Sequence, residues 1–143
     1  MPIPEIINAI VTVQKAITTP TGEKPLADAF DEPPAQVLDF PTFVNIERSV
    51  STEGSSGLRE MVWTIDMHLL FAAGEQKYSV RSRRLWVQAV IDKFCTDLTL
   101  LGTVSAVYGM EMSYEPVLLG ETEYVAATFT ITARTFEAFA FDS

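Results

Sequence analysis

The sequence predicts an α+β domain: a four-stranded, mainly antiparallel sheet with two helices packed on one face, a long proline-rich loop and a flexible hairpin tip. Three observations carry this. In Leu58–Ala72, Met61, Trp63, Ile65, Met67, Leu69 and Phe71 alternate with Glu60, Thr64, Asp66 and His68, the period of two that marks a strand with one buried face. After Gly74 the spacing changes: Val87, Val90, Ile91, Phe94, Leu98 and Leu101 recur three and four residues apart, the stripe of an amphipathic helix able to roof that strand. Alternation then returns twice, in Val104–Tyr114 and, most regularly, in Tyr124–Phe136. Two strands, a helix and two more strands give an antiparallel or mixed sheet whose strand order the sequence leaves open.

The elements follow in order. Pro4 suits the first turn of a helix whose apolar residues are Ile3, Ile6, Ile7, Ile10, Val13 and Ile17, and Thr18–Gly22 ends it because the residue before Pro20 avoids helical torsions. Pro20 to Asp39 contains Pro20, Pro25, Pro33 and Pro34 with Asp28, Asp31 and Glu32; it reads as an irregular surface loop and a candidate binding segment. Phe40–Arg48 reads as a strand, with Pro41 tolerated near its start or on a sheet edge. Ser49–Gly57, rich in Ser, Thr and Gly with only Val50 large and apolar, reads as the flexible tip joining two antiparallel strands. The second helix spans Tyr78–Leu101, with Ser79 or Ser82 able to cap its start and Gly102 placed to end it. Pro116 and Gly120 bracket the last connection, and the tail carries Phe136, Phe139 and Phe141.

Composition narrows the function. A chain of 143 residues has room for one domain, 1–143, and buries enough surface to fold without staples. With a single cysteine, Cys95, no intrachain disulfide or cysteine-based metal site is expected. Ten basic against nineteen acidic residues give a net charge of −9, which opposes specific binding to nucleic acid. The apolar runs are far shorter than a membrane span, and the first residues lack the pattern of a signal peptide. Cytoplasmic synthesis and no membrane partner are the expectations.

A catalytic constellation is not legible. His68, the sole histidine, is expected on the polar strand face near Asp66, where two side chains point the same way without converging on a substrate; a surface or interface histidine is expected. Cys95 lies beside the apolar stripe and reads as a buried structural thiol. Asp28, Asp31 and Glu32 lack the spacing of a calcium loop and read as solvated. Gly54-Ser55-Ser56-Gly57 lacks the lysine of a phosphate-binding loop. No catalytic, cofactor or metal residue is assigned.

What remains is a set of candidate contact residues. Arg81, Arg83 and Arg84 begin the second helix, where its dipole disfavours positive charge; they read either as a solvated face with acidic neighbours or as a surface for a salt-bridged partner. Ser49 and Glu53 at the hairpin tip and Asp31 and Glu32 in the long loop are further candidates. Phe139 and Phe141 either fold back onto the core or anchor a neighbouring subunit.

The whole chain, more than any motif, resembles the tail-terminator, or tail-completion, proteins of long-tailed bacteriophages. The resemblance covers the isoleucine-rich helix Ile3–Ile17, the proline-containing loop, the hairpin Phe40–Ala72, the helix Tyr78–Leu101 and the closing strand pair Val104–Tyr114 and Tyr124–Phe136. It implies a virion structural protein of the tail or neck without enzymatic activity. Such a protein forms a hexameric ring that caps the tail tube, ends tail growth and presents a surface to the head connector. Its implied partners are copies of itself, the tail tube protein and the head–tail connector or stopper protein, with DNA passing through the lumen. Six copies at −9 each carry −54, and an acidic lumen keeps DNA off the wall. Competing readings are another neck or head–tail joining component, a small cellular interaction module, or a small-ligand enzyme with His68 and Asp66 bordering a pocket.

Overall fold

A computed structural model describes residues 2–55, 58–71, 80–96 and 106–138. In chain order the elements are α1 (Pro2–Lys15), β1 (Asp28–Phe30), β2 (Thr42–Ser55), β3 (Leu58–Phe71), α2 (Val80–Thr96), β4 (Ala106–Leu119) and β5 (Thr122–Ala138). They form an α+β fold with one five-stranded sheet in the order β1-β2-β3-β5-β4. Every pairing is antiparallel except that of β1 with β2.

The face expected to be buried is buried. Trp63, Ile65, Met67, Leu69 and Phe71 of β3 join Phe43 of β2 and Ala127, Phe129, Ile131 and Ala133 of β5 in one core with residues of both helices. α1 contributes Ile6, Ile7, Ala9, Ile10, Val13 and, just past its end, Ile17; α2 contributes Trp86, Val87, Val90 and Phe94. Both helices therefore lie on the same side, and the strands' period of two meets the helices' period of 3.6 along it. The indole Nε1–H of Trp63 donates to Thr135 Oγ1 at 3.0 Å, which gives the largest side chain of β3 a polar partner inside this core.

Several expectations need correction. The sheet has five strands, since the segment read as a wholly irregular loop contains β1, whose Asp28–Phe30 pairs with Thr42–Val44. Three residues among prolines are too few to print an alternation, and parallel contact with β2 is what makes them a strand. The rest of that loop is not all surface either: Val37 is buried, and its amide donates to Tyr124 Oη at 3.1 Å.

The hairpin tip is also shorter than expected. β2 continues to Ser55, with Ser49 opposite Thr64, Val50 opposite Trp63 and Ser55 opposite Leu58. Cross-strand hydrogen bonds thus organise a polar stretch that has no apolar pattern to announce it. A bulge at Arg48 separates this arm from the strand that flanks the core. Likewise β4 runs through Pro116 to Leu119, so the closing connection is only Gly120-Glu121. Gly120 has φ +62°, the left-handed conformation that tight hairpin turns need, and Pro116 is tolerated because β4 is an edge strand.

In α2, the wholly buried Trp86 was missed although it lies four residues before Val90 and eight before Phe94. Cys95, expected buried, is exposed, because the next position round from Phe94 leaves the stripe. Ser82 lies within the first turn rather than before it, and its hydroxyl donates to Glu23 Oε2 at 3.2 Å. The expected ends of the helix at 78–79 and 97–101, Leu98 and Leu101 among them, and the glycine at 102 fall outside the described residues. None of the described helices is long and apolar enough to cross a membrane.

Candidate functional site

The second face of the sheet was expected to be solvated and is not uniformly so. At one end Val37, Val44, Leu70, Val117, Leu119, Tyr124 and Ala126 form a second buried cluster. It is covered by the segment after β1, which Tyr124 pins through Val37. Farther along, the face becomes a polar row. His68 Nδ1 lies 2.8 Å from Thr128 Oγ1, and Thr130 donates to Asp66 Oδ1 at 2.7 Å. Arg48 approaches Asp66 at 3.7 Å, and Arg134 pairs with Glu60 at 2.6 Å.

His68 is accordingly not a surface residue in this chain; it is 8% exposed. Burial lowers its pKa from 6.5, against the opposing pull of the Asp66 and Glu115 carboxylates. Thr128, the hydroxyl beside the ring, is itself 2% exposed, so both members of the pair lie in the sheet's packed second face. Asp66, meanwhile, is engaged by Thr130 and Arg48 instead of orienting the ring. Among the described residues no group of three or more His, Cys, Asp or Glu side chains could hold a metal ion.

The candidate contact residues fall in separate places. Asp31 and Glu32 line a cleft of about 310 Å³ with Asn8 and Pro33, and with Asn45 and Glu47 of β2. Three carboxylates therefore face one depression beside α1. Ser49 is exposed and begins the arm just past the bulge, while Glu53 stands opposite Glu60 farther out. Arg81, Arg83 and Arg84 occupy the first turn of α2, the first and last exposed and Arg83 partly buried with an enclosed Nε that has no hydrogen-bond partner. Phe139 and Phe141 lie outside the described residues. The fold thus groups Asp31 with Glu32 and Glu47 around one cleft, apart from the three arginines of α2, and among the described residues no ion pair joins the two groups.

A feature not foreseen is the carboxamide pair between α1 and β2. Gln14 Nε2 donates to Asn45 Oδ1 at 2.7 Å, and Asn45 Nδ2 donates to Gln14 Oε1 at 2.9 Å and to the carbonyl of Phe30 at 3.0 Å. A signal existed: Gln14 falls four residues after Ile10 on an otherwise apolar stripe, and Asn45 falls in phase with Phe43. The pair fixes α1, β1 and β2 to one another beneath the acidic cleft.

No protein-family model matches this chain, and no curated protein resembles it significantly.

Four of the five strands are long. β2, β3 and β4 have 14 residues each and β5 has 17, against a usual strand of about 5–6. At about 3.4 Å per residue they run roughly 45–55 Å. Five large apolar side chains are exposed among the described residues: Leu38, Val50, Leu85, Tyr114 and Leu118.

Proposed function

We propose that this chain is a non-enzymatic structural protein of a long-tailed phage, a ring-forming tail terminator that caps the tail tube, ends its growth and offers the attachment surface for the head connector. The observation that carries the reading is a small, acidic α+β domain whose four long strands have 14 to 17 residues each, whereas its helices of 14 and 17 residues are only about 21–26 Å long at about 1.5 Å per residue. Long strands at a sheet edge offer a long row of backbone groups to which another chain can pair. The element order, helix, extended segment, long hairpin, helix, long hairpin, supports the same reading through the resemblance in sequence. A charge of −9 per copy suits a wall past which DNA slides without sticking.

On this reading the acidic cleft of Asp31, Glu32 and Glu47, the arm from Ser49 outward and the arginines of α2 are contact surfaces for neighbouring copies, tube and connector. Light scattering of the protein alone and with the tube protein is expected to show a ring, and a strict monomer under both conditions sinks the proposal. Negative-stain images of particles made without the protein are expected to show overlong tails. Tails of normal length that fail to join heads would instead mark a neck component.

A further inference from the structure

We infer that copies of this chain join edge to edge, β4 of one copy adding antiparallel to the outer arm of β2 in the next, so that a single sheet passes from subunit to subunit. The inference rests on the ring reading and names the surfaces that would close it. Two edges are open in the described structure. β4 ends the sheet and has no partner on its outer side. β2 pairs with β1 only at Thr42–Val44, and the loop after β1 borders Asn45–Glu47, so among the described residues its edge has no partner strand beyond the bulge, from Ser49 to Ser55.

Three features of these edges point to a second copy as the occupant. The first is direction. β2 to β3, β3 to β5 and β5 to β4 are all antiparallel steps, so the two open edges run in opposite senses. When copies are repeated by rotation about an axis along the strands, β4 meets the neighbour's β2 antiparallel with the same sheet face on the same side. An even number of long strands is what preserves this alternation. Because the two surfaces differ, the contact is head-to-tail, the kind that closes into rings.

The second is the placement of exposed apolar side chains. Val50 is opposite Trp63, which belongs to the helix-side core. Tyr114 shares the phase of Met110 and Met112, which pack against that core. Val50 is 45% and Tyr114 50% exposed, so each open edge carries an apolar side chain on the same face, and joining the edges would bring the two rows together.

The third is the absence of lysine and proline, the commonest edge blocks, from both segments. Between the irregularity before Met110 and Pro116, β4 offers Met110–Glu115; beyond the bulge at Arg48, β2 offers Ser49–Ser55. Neither stretch contains a lysine, an arginine or a proline, and their charges are limited to Glu53 on β2 and Glu111 and Glu115 on β4, whereas lysine and proline are the commonest edge blocks of soluble proteins. The bulge on β2 and the proline on β4 instead bound segments of seven and six residues.

The test uses the full chain with Cys95→Ser, so that no native thiol reacts. Ser51→Cys and Ser113→Cys are made separately; both positions are exposed and on the two segments. With a short bis-maleimide, the mixture of the two variants is expected to give covalent dimers while neither variant alone does. Dimers from Ser113→Cys alone would overturn the inference in favour of a two-fold β4–β4 contact. In parallel, Val50→Lys with Tyr114→Lys is expected to weaken assembly about tenfold or more by native mass spectrometry, with an unchanged far-ultraviolet spectrum. Rings that persist in this variant overturn the edge contact and leave the ring reading standing. A parent chain that stays monomeric with and without the tube protein removes both.

Discussion

Gln14 and Asn45 do something that an apolar pair at the same positions would not: each fully buried carboxamide satisfies the other, and Asn45 also holds the last carbonyl of β1. Leaving one member alone costs more than the pair contributes, because an unsatisfied buried amide keeps its desolvation penalty. Gln14→Met is therefore expected to destabilise the chain by about 1–3 kcal/mol in urea denaturation. Asn45→Ala is expected to cost more, since it also frees β1. His68 makes a prediction of opposite character. Its folded pKa lies below the unfolded value because burial penalises the charged ring, so below pH 6.5 the unfolded chain takes up a proton that the folded chain resists. Stability is then complete above pH 6.5 and declines as pH falls from there towards the folded value. The stability lost between about pH 7.5 and pH 5.5 is expected to shrink in His68→Gln; an equal loss in the variant would show that the imidazole is not the titrating group.

Among the elements, the segment following β1 was the least legible in sequence. Its prolines and acids announce a solvated loop, and only the long-range bond from Tyr124, eighty-seven positions away, turns part of it into a lid on the second face. Tyr124→Phe is expected to leave the sheet intact while raising amide exchange at Val37 by about tenfold or more, the equivalent of roughly 1–2 kcal/mol. Unchanged exchange would mean that the apolar cluster alone holds the segment. α2 and β3 were legible because their apolar periods are long and regular. Truncating Phe94, 2% exposed, to Ala is expected to cost about 3–5 kcal/mol in denaturant titration. The outer arm of β2 was illegible for the opposite reason: Ser49–Thr52 are exposed and show no apolar alternation, and the arm is defined as a strand by its pairing with Leu58–Thr64.

For the whole molecule, the proposed ring has to overcome its own charge. Six copies at −9 bring −54 together, while contacts made through backbone edges and apolar side chains carry no compensating charge. Raising ionic strength from about 10 mM to about 150 mM shortens the screening length from about 30 Å to about 8 Å, so assembly is expected to strengthen with salt in sedimentation velocity. An interface built on pairing of Arg81 and Arg84 with carboxylates would weaken instead, which separates the two kinds of contact. By itself the sequence determined the α+β class, the helix-side core and the acidity, because periodicity and charge are properties of near neighbours along the chain. The tertiary structure decided the fifth strand, the buried His68, the carboxamide pair and which edges stay open. Each of these depends on residues tens of positions apart meeting across a sheet, and no local pattern encodes which strand will be its neighbour.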